Sequence, residues 1–97
     1  MNITTKTEGT TTTIAVSGWL DTSSAPEFTD AIDAIGSETE RLVIDFADLE
    51  YISSAGLRRL VAAHKKMAGN LTIVHVSPMV LDVLNMAGFS KRLNISQ

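Results

Sequence analysis

The chain has 97 residues, a formal net charge of −3, 44% hydrophobic residues and 20% charged residues. This length predicts one domain that buries enough apolar surface to fold alone, and this composition excludes global disorder. The net negative charge argues against bulk attraction to nucleic acid or an anionic membrane, and the absence of cysteine excludes disulfides, thiol catalysis and thiolate metal sites.

The first part of the chain is predicted to form two strands and a helix. Residues 2–7 and 11–18 are rich in Thr, Ile and Val, and the glycine-containing turn between them predicts an antiparallel hairpin. A helix is predicted over 24–36, because Ser24 and Glu27 have the spacing of a capping box before an apolar helical stripe.

The rest of the chain alternates strands with helices. Strands are predicted at 41–46, 71–76 and 93–95, and helices at 54–68 and 78–88. The order β-β-α-β-α-β-α-β implies right-handed crossovers between mostly parallel strands, with the hairpin supplying an antiparallel partner. The predicted fold class is therefore α/β, a small, mixed and mostly parallel sheet with helices packed on it.

The sequence contains neither a membrane-spanning run nor a secretory signal. No apolar run approaches the roughly 20 residues that cross a bilayer. The N-terminal stretch is polar and rich in threonine, without the basic and apolar regions of a signal peptide. We therefore expect a cytoplasmic protein without a membrane span, with residues 1–97 forming a single domain.

Two adjacent hydroxyls, Ser53 and Ser54, lie where the third predicted strand leads into the second predicted helix. A helix N-terminus presents free backbone N–H groups and a positive dipole potential, so this place suits a negative charge such as a phosphate. From the residues alone, a serine here is either an ordinary cap or a switch that gains about −1.5 to −2 charges when phosphorylated.

Asp21 follows the second predicted strand and directly precedes the first predicted helix. If the second and third strands are neighbours, their carboxyl ends lie at one edge of the sheet, which brings Asp21 near Ser53 and Ser54. The simpler interpretation of Asp21 is an acceptor that holds a loop or a helix N-terminus. Both interpretations stay open at the level of the sequence.

The spacing of the other reactive residues does not support a catalytic or metal site. A nucleophile elbow needs Gly-x-Ser-x-Gly, and the sequence before Ser54 lacks the first glycine. His64 stands ten residues along the same predicted helix, roughly 15 Å away at ~1.5 Å per residue, which is too far for a general base. His64 and His75 have no ligand spacing with carboxylates, so both are interpreted as core or boundary histidines.

Three methionines, Met67, Met79 and Met86, stand in or near the second and third predicted helices. Because methionine is flexible and fills irregular gaps, they are interpreted as core residues. The alternative is that Met79 and Met86, together with Phe89, give the third helix an adaptable contact patch.

Two motifs resemble those of a known family. They are Gly18-Trp19-Leu20-Asp21 after the second predicted strand and Tyr51-Ile52-Ser53-Ser54-Ala55-Gly56-Leu57-Arg58 at the strand-to-helix transition. With the order of elements, they resemble the STAS domain, and more narrowly the free-standing bacterial anti-sigma factor antagonists. The resemblance covers almost all of the chain and implies a binding module that is not an enzyme and uses no cofactor.

The resemblance also implies a phosphorylation switch that regulates transcription. Ser54, two positions before the glycine, matches the family's phosphoacceptor, and Ser53 is the weaker candidate. In this family an anti-sigma factor serine kinase of the GHKL ATPase class phosphorylates the antagonist, and a PP2C-type phosphatase removes the phosphate. The unphosphorylated antagonist binds the anti-sigma factor and so releases a sigma factor, without itself contacting nucleic acid. The partner-binding residues that the resemblance implies are Asp21, Thr22, Ser53, Ser54, Ala55, Gly56 and Arg58.

Two features depart from the family pattern. Many members carry Asp immediately before the acceptor, where this chain has Ser53, and members usually finish with a further helix after the last strand. Here the sequence stops at Gln97, just after Ile95, so that helix is expected to be missing. The alternative function is a STAS interaction module without phosphorylation, such as a scaffold subunit in a stress complex or a lipid-transport assembly, in which the serines are caps.

Overall fold

A mixed β-sheet with helices packed against it makes up the computed structural model, which describes residues 1–88 and 93–96. In those residues the strands are β1 (Asn2–Glu8), β2 (Thr11–Leu20), β3 (Arg41–Asp45), β4 (Leu49–Ile52), β5 (Leu71–Val74) and β6 (Asn94–Ile95). The helices are α1 (Ala25–Asp33), α2 (Ser54–Lys66) and α3 (Pro78–Met86). None of these helices combines the length and the apolar composition that crossing a bilayer requires.

The main sheet has the strand order β1-β2-β3-β5-β6. β1 runs antiparallel to β2, with Asn2 opposite Ser17 and Glu8 opposite Thr11, so the predicted hairpin is confirmed. The remaining pairs, β2–β3, β3–β5 and β5–β6, are parallel. The α/β class with a mostly parallel mixed sheet is therefore confirmed.

The strand β4 was not predicted; its residues fall between the strand predicted at 41–46 and the helix predicted at 54–68. It continues the line of β3 and pairs in parallel with the end of β2, where Trp19 lies opposite Tyr51 and Leu20 opposite Ile52. The register shifts between Gly18 and Trp19, and Gly18 has a φ of 86°. The four residues of β4 are buried, exposed, exposed and buried in turn, so the strand carries no alternating signal.

The core lies between one face of the sheet and the helices. Alternate residues of the central strands are buried on this face, namely Ile14, Val16, Leu42, Ile44, Leu71 and Ile73. Phe28 of α1, Leu60 of α2 and Leu84 of α3 belong to the same cluster. Since burial of a side chain of this size contributes about 1.5–3 kcal/mol, this packing fixes the strand ends that carry the two motifs.

The methionine prediction is correct for one residue and wrong for two. Met67 is buried in the core, whereas the side chains of Met79 and Met86 are 66% and 89% exposed. α3 turns Val80 and Leu84 inward, so a residue one position before Val80 or two positions after Leu84 faces outward at helical spacing. Phe89, the third member of the alternative patch, lies outside the described residues.

Candidate functional site

The two serines occupy different places at the junction of β4 and α2. Ser53 is the N-cap, with extended backbone (φ −94°, ψ 174°), and its hydroxyl accepts a 3.3 Å hydrogen bond from the Gly56 amide. Ser54 is the first residue of α2, and its side chain is exposed. Among the described residues, no side chain or backbone group makes a hydrogen bond to the Ser54 hydroxyl. Ser53 therefore serves the helix, and Ser54 is left accessible.

Two backbone hydrogen bonds connect the two ends of β4 to the end of β2. The Ser53 amide donates a 2.9 Å hydrogen bond to the Leu20 carbonyl, and the Gly18 amide donates a 3.0 Å bond to the Asp48 carbonyl. A Cβ on Gly56 would lie 2.9 Å from the carbonyl oxygen of Leu20. The first turn of α2 can therefore lie directly on β2 only because residue 56 is glycine.

Asp21 organises the turn that follows β2. Its Oδ1 accepts hydrogen bonds from the Ser23 amide (3.0 Å), the Ser23 hydroxyl (2.8 Å) and the Ser24 amide (3.1 Å). The interpretation of Asp21 as a loop acceptor is thus confirmed. Asp21 also lies close to the serine motif, because it directly follows Leu20, whose carbonyl accepts the hydrogen bond from the Ser53 amide. Its carboxylate, however, makes no hydrogen bond to Ser53 or Ser54.

The predicted capping box at the start of α1 is wrong. Ser24 does occupy the N-cap position, but its side chain makes no capping bond to the helix. Its hydroxyl instead donates a 2.7 Å hydrogen bond to the Trp19 carbonyl and accepts a 2.9 Å bond from the Asp21 amide. The hydroxyl therefore stabilises the end of β2 and does not cap the first turn of α1.

Asp21→Asn is expected to remove part of the acid dependence of stability. The Ser23 hydroxyl and the Ser24 amide, which donate to the carboxylate, hold the pKa of Asp21 below its ordinary value. A lowered folded-state pKa stabilises the protein above the unfolded-state pKa, and this contribution is lost as the pH falls through the folded-state value. Thermal midpoints of wild type and variant should therefore differ at neutral pH and converge below about pH 4.

Circular dichroism melts over this pH range check the prediction. Ser37→Ala, which alters an exposed side chain after α1 without removing a carboxylate, is the control and should keep the wild-type dependence on pH. A constant gap between the melting temperatures of Asp21→Asn and wild type at every pH would contradict the assignment.

A second carboxylate lies further along the same edge of the sheet. Asp45, at the end of β3, makes a 2.9 Å contact with Nδ1 of His75, which follows β5 and has a positive φ of 57°. Burial raises the pKa of Asp45, but the Ala47 amide and the His75 ring outweigh it, so the pKa lies below its ordinary value. Within residues 1–88 and 93–96, no three side chains of His, Asp or Glu come together as a metal site.

Comparison with protein families decides the relationship that the motifs suggest. The family model described as the STAS domain matches residues 2–97. The chain belongs to the STAS family. No curated protein matches the sequence.

Solved structures of anti-sigma factor antagonists share this fold. An anti-sigma factor antagonist from Mycobacterium paratuberculosis has a TM-score of 0.88 at 24% identity, over 98% of this chain and 84% of that one. A putative anti-sigma factor antagonist from Thermotoga maritima has a TM-score of 0.88 at 17% identity, over 98% and 86% of the two chains. The Bacillus cell fate determinant SpoIIAA in its phosphorylated form has a TM-score of 0.75 at 16% identity, over 99% and 92%. At these identities the likeness is one of fold.

The other predicted binding residues of this STAS domain lie around the same edge. Thr22 is exposed in the turn that Asp21 holds, and Ala55 is half-buried in the first turn of α2. Arg58 is exposed one turn after Ser54, on the same side of the helix. The structure therefore gathers the predicted residues at the carboxyl ends of β2 and β4.

The sequence analysis missed an aromatic pair beside the serines of this STAS domain. Trp19 and Tyr51 face each other across β2 and β4, with ring centroids 5.1 Å apart and ring planes at 44°. The two residues are 57% and 41% exposed. Each of the two precedes a buried residue, Leu20 or Ile52. In a strand, neighbouring side chains point to opposite faces, so this pattern predicts an outward-facing aromatic pair only if β4 is recognised as a strand.

Proposed function

We propose that this STAS domain is an anti-sigma factor antagonist whose binding to an anti-sigma factor is switched by phosphorylation of Ser54. The observation that carries the proposal is the division of labour between the two serines. Ser53 is engaged as the N-cap of α2, whereas Ser54 is exposed at its first position. Two structural neighbours support the same function: the mycobacterial protein is described as an anti-sigma factor antagonist, and SpoIIAA carries that description and has a structure in a phosphorylated form.

In the proposed reaction this chain is the substrate. The Ser54 hydroxyl attacks the γ-phosphorus of ATP held by a GHKL-class anti-sigma factor kinase, the bond to the β-phosphate oxygen breaks, and ADP leaves. The hydroxyl proton passes to a base of the kinase. A PP2C-type phosphatase would reverse the state by transferring the phosphoryl group to water, which restores the serine.

The energetics favour a change in binding over a change in fold. At the start of α2 a phosphate would be stabilised by the helix dipole, by about 0.3–1 kcal/mol when exposed and by ~2 kcal/mol when partly buried. Within a contact surface, however, a desolvated and unpaired charge costs several kcal/mol. Because each ~1.4 kcal/mol changes affinity tenfold, the phosphate suffices to release the anti-sigma factor, which then sequesters its sigma factor.

Mass spectrometry after incubation with ATP and a candidate anti-sigma factor kinase tests the proposal. We expect the mass of one phosphate per chain, and fragmentation of the peptides should locate it on Ser54. Ser54→Ala should abolish the mass increase. Ser53→Ala should still gain the phosphate, while losing about 0.5–2 kcal/mol of stability with its cap.

The same experiment separates the alternative function. The mass would stay unchanged if this domain is an interaction module without phosphorylation. Its partner would then bind with the same affinity whichever residue stands at position 54. A phosphate retained by Ser54→Ala would move the acceptor to another residue.

A further inference from the structure

The aromatic pair, Trp19 and Tyr51, is an apolar surface that the fold itself does not use. Two of the three phenylalanines, Phe28 and Phe46, are fully buried, and the third lies outside the described residues. Trp19 and Tyr51 instead keep about half of their surface in solvent, side by side. Trp and Tyr exposed together in this way are typical of protein interfaces.

The aromatic pair is held rigidly in its exposed position. The strands β2 and β4 place the two residues opposite each other, and the buried neighbours Leu20 and Ile52 fix the direction of both side chains. The Ser24 hydroxyl donates to the carbonyl of Trp19, which secures the end of β2. Because little conformational freedom remains to be lost, a ligand of this pair is bound at a low entropic cost.

Three carboxylates stand close to the aromatic pair along the chain. Asp21 follows the end of β2 two residues after Trp19, Asp48 directly precedes β4, and Glu50 is adjacent to Tyr51. The ion pairs formed within the described residues, Lys6–Glu8 and Asp45–His75, involve none of these three carboxylates. No described cationic side chain stacks on either ring.

An exposed aromatic face with carboxylates near it along the chain is complementary to a cation with an apolar or planar stem. The faces of Trp and Tyr attract ammonium and guanidinium groups through the ring quadrupole, and the carboxylates reinforce this attraction. Tyr51 lies two residues before Ser53, so a partner that places a cation on the aromatic pair is also close to the serines.

We propose that the aromatic pair receives an arginine or lysine side chain of the anti-sigma factor and so anchors the complex. This inference rests on the proposed function, since it names the chemistry of the same partner. The surface of the partner then has a basic side chain that faces Trp19, and neighbouring residues of the partner contact the surroundings of Ser54. The anchor operates in the unphosphorylated state and supplies affinity, whereas the residue at 54 decides whether the complex forms.

Binding of the anti-sigma factor to substituted antagonists, measured by calorimetry at low and high salt, tests the anchor. Trp19→Leu keeps apolar area but lacks a π face, and is expected to bind about tenfold more weakly than wild type. Trp19→Phe keeps a ring and is expected to lose about threefold at most. Thr10→Leu, which alters an exposed side chain in the hairpin turn at the opposite end of β2, is the control and should bind as wild type.

Two further readouts make the test independent of folding. Circular dichroism confirms that each variant folds, and Tyr51→Leu provides a second way to remove half of the aromatic pair. Trp19 is the only tryptophan of the chain, so its fluorescence reports contact directly and should change when the anti-sigma factor binds.

The outcomes separate the anchor from the switch. If Trp19→Leu binds as tightly as Trp19→Phe, or the tryptophan fluorescence is unaffected by saturating partner, the cationic anchor is refuted, even where Ser54→Asp abolishes binding. If Trp19→Leu weakens binding tenfold while Ser54→Asp binds like wild type, the anchor stands and the switch fails.

Discussion

Ser54→Asp is expected to fold like wild type and to lose the anti-sigma factor. The first turn of α2 contains no acidic residue, so a carboxylate there meets free N–H groups and a favourable dipole without a like-charge neighbour in that turn. In the proposed complex the same carboxylate would be desolvated without a partner, at a cost of several kcal/mol. We expect an affinity at least roughly a hundredfold lower, with an unchanged or slightly raised melting temperature.

The matched control for charge is Ser54→Asn, which has nearly the shape of Asp and no charge. It should bind far more tightly than Ser54→Asp, and Ser54→Ala should bind like unphosphorylated wild type. Calorimetric titration of the four proteins into one anti-sigma factor preparation gives the comparison. Equal affinities for the Asp and Asn variants would show that charge at this position does not control binding.

The hairpin, the later parallel strands and the serine motif could be predicted because each has a local cause. The Thr, Ile and Val residues of β1 and β2 favour extended backbone, and the helical periodicity after Ser54 defines α2. The strand β4 could not be predicted, since its exposed Glu50 and Tyr51 interrupt any alternation and its pairing with β2 is a long-range contact. With β4 unrecognised, the aromatic pair also escaped notice.

The distinction between Ser53 and Ser54 shows a second limit of the sequence. The sequence predicts a helix from 54, which makes Ser53 its cap, but apolar periodicity alone does not fix a helix start to a single residue. In the structure the Leu20–Ser53 backbone bond decides, because it keeps Ser53 extended and makes Ser54 the first helical residue. At Ser24 a longer-range contact overrides the local pattern. The sequence predicts that its hydroxyl caps α1, but in the structure the hydroxyl donates a hydrogen bond to the Trp19 carbonyl.

Gly56→Ala is expected to destabilise the domain, although the same change in an open helix is favourable. Alanine is preferred over glycine inside a helix by about 1 kcal/mol. Here the new Cβ would lie 2.9 Å from the Leu20 carbonyl oxygen, 2.9 Å from Leu20 Cγ and 2.9 Å from Ile52 Cγ1, closer than such atoms approach. We expect a net loss of about 1–3 kcal/mol in the free energy of unfolding, measured by urea denaturation, and a larger loss for Gly56→Val.

Gly36→Ala is the control for this prediction. The three atoms nearest to its new Cβ all belong to the carboxylate end of Glu38, a flexible side chain that can move, so stability should change little. An equal effect of alanine at both positions would show that the close approach at Gly56 is not what limits the fold.

The obstacle at Gly56 also links stability to the proposed switch. The Leu20 carbonyl that blocks the new Cβ is the acceptor of the Ser53 amide, at 2.9 Å. Relief of the clash therefore has to lengthen this hydrogen bond, which lifts the first turn of α2 and the Ser54 hydroxyl away from β2. Gly56→Ala should for this reason be phosphorylated more slowly than Gly36→Ala at a temperature where both remain folded. Equal rates would show that the position of Ser54 does not depend on the contact between α2 and Leu20.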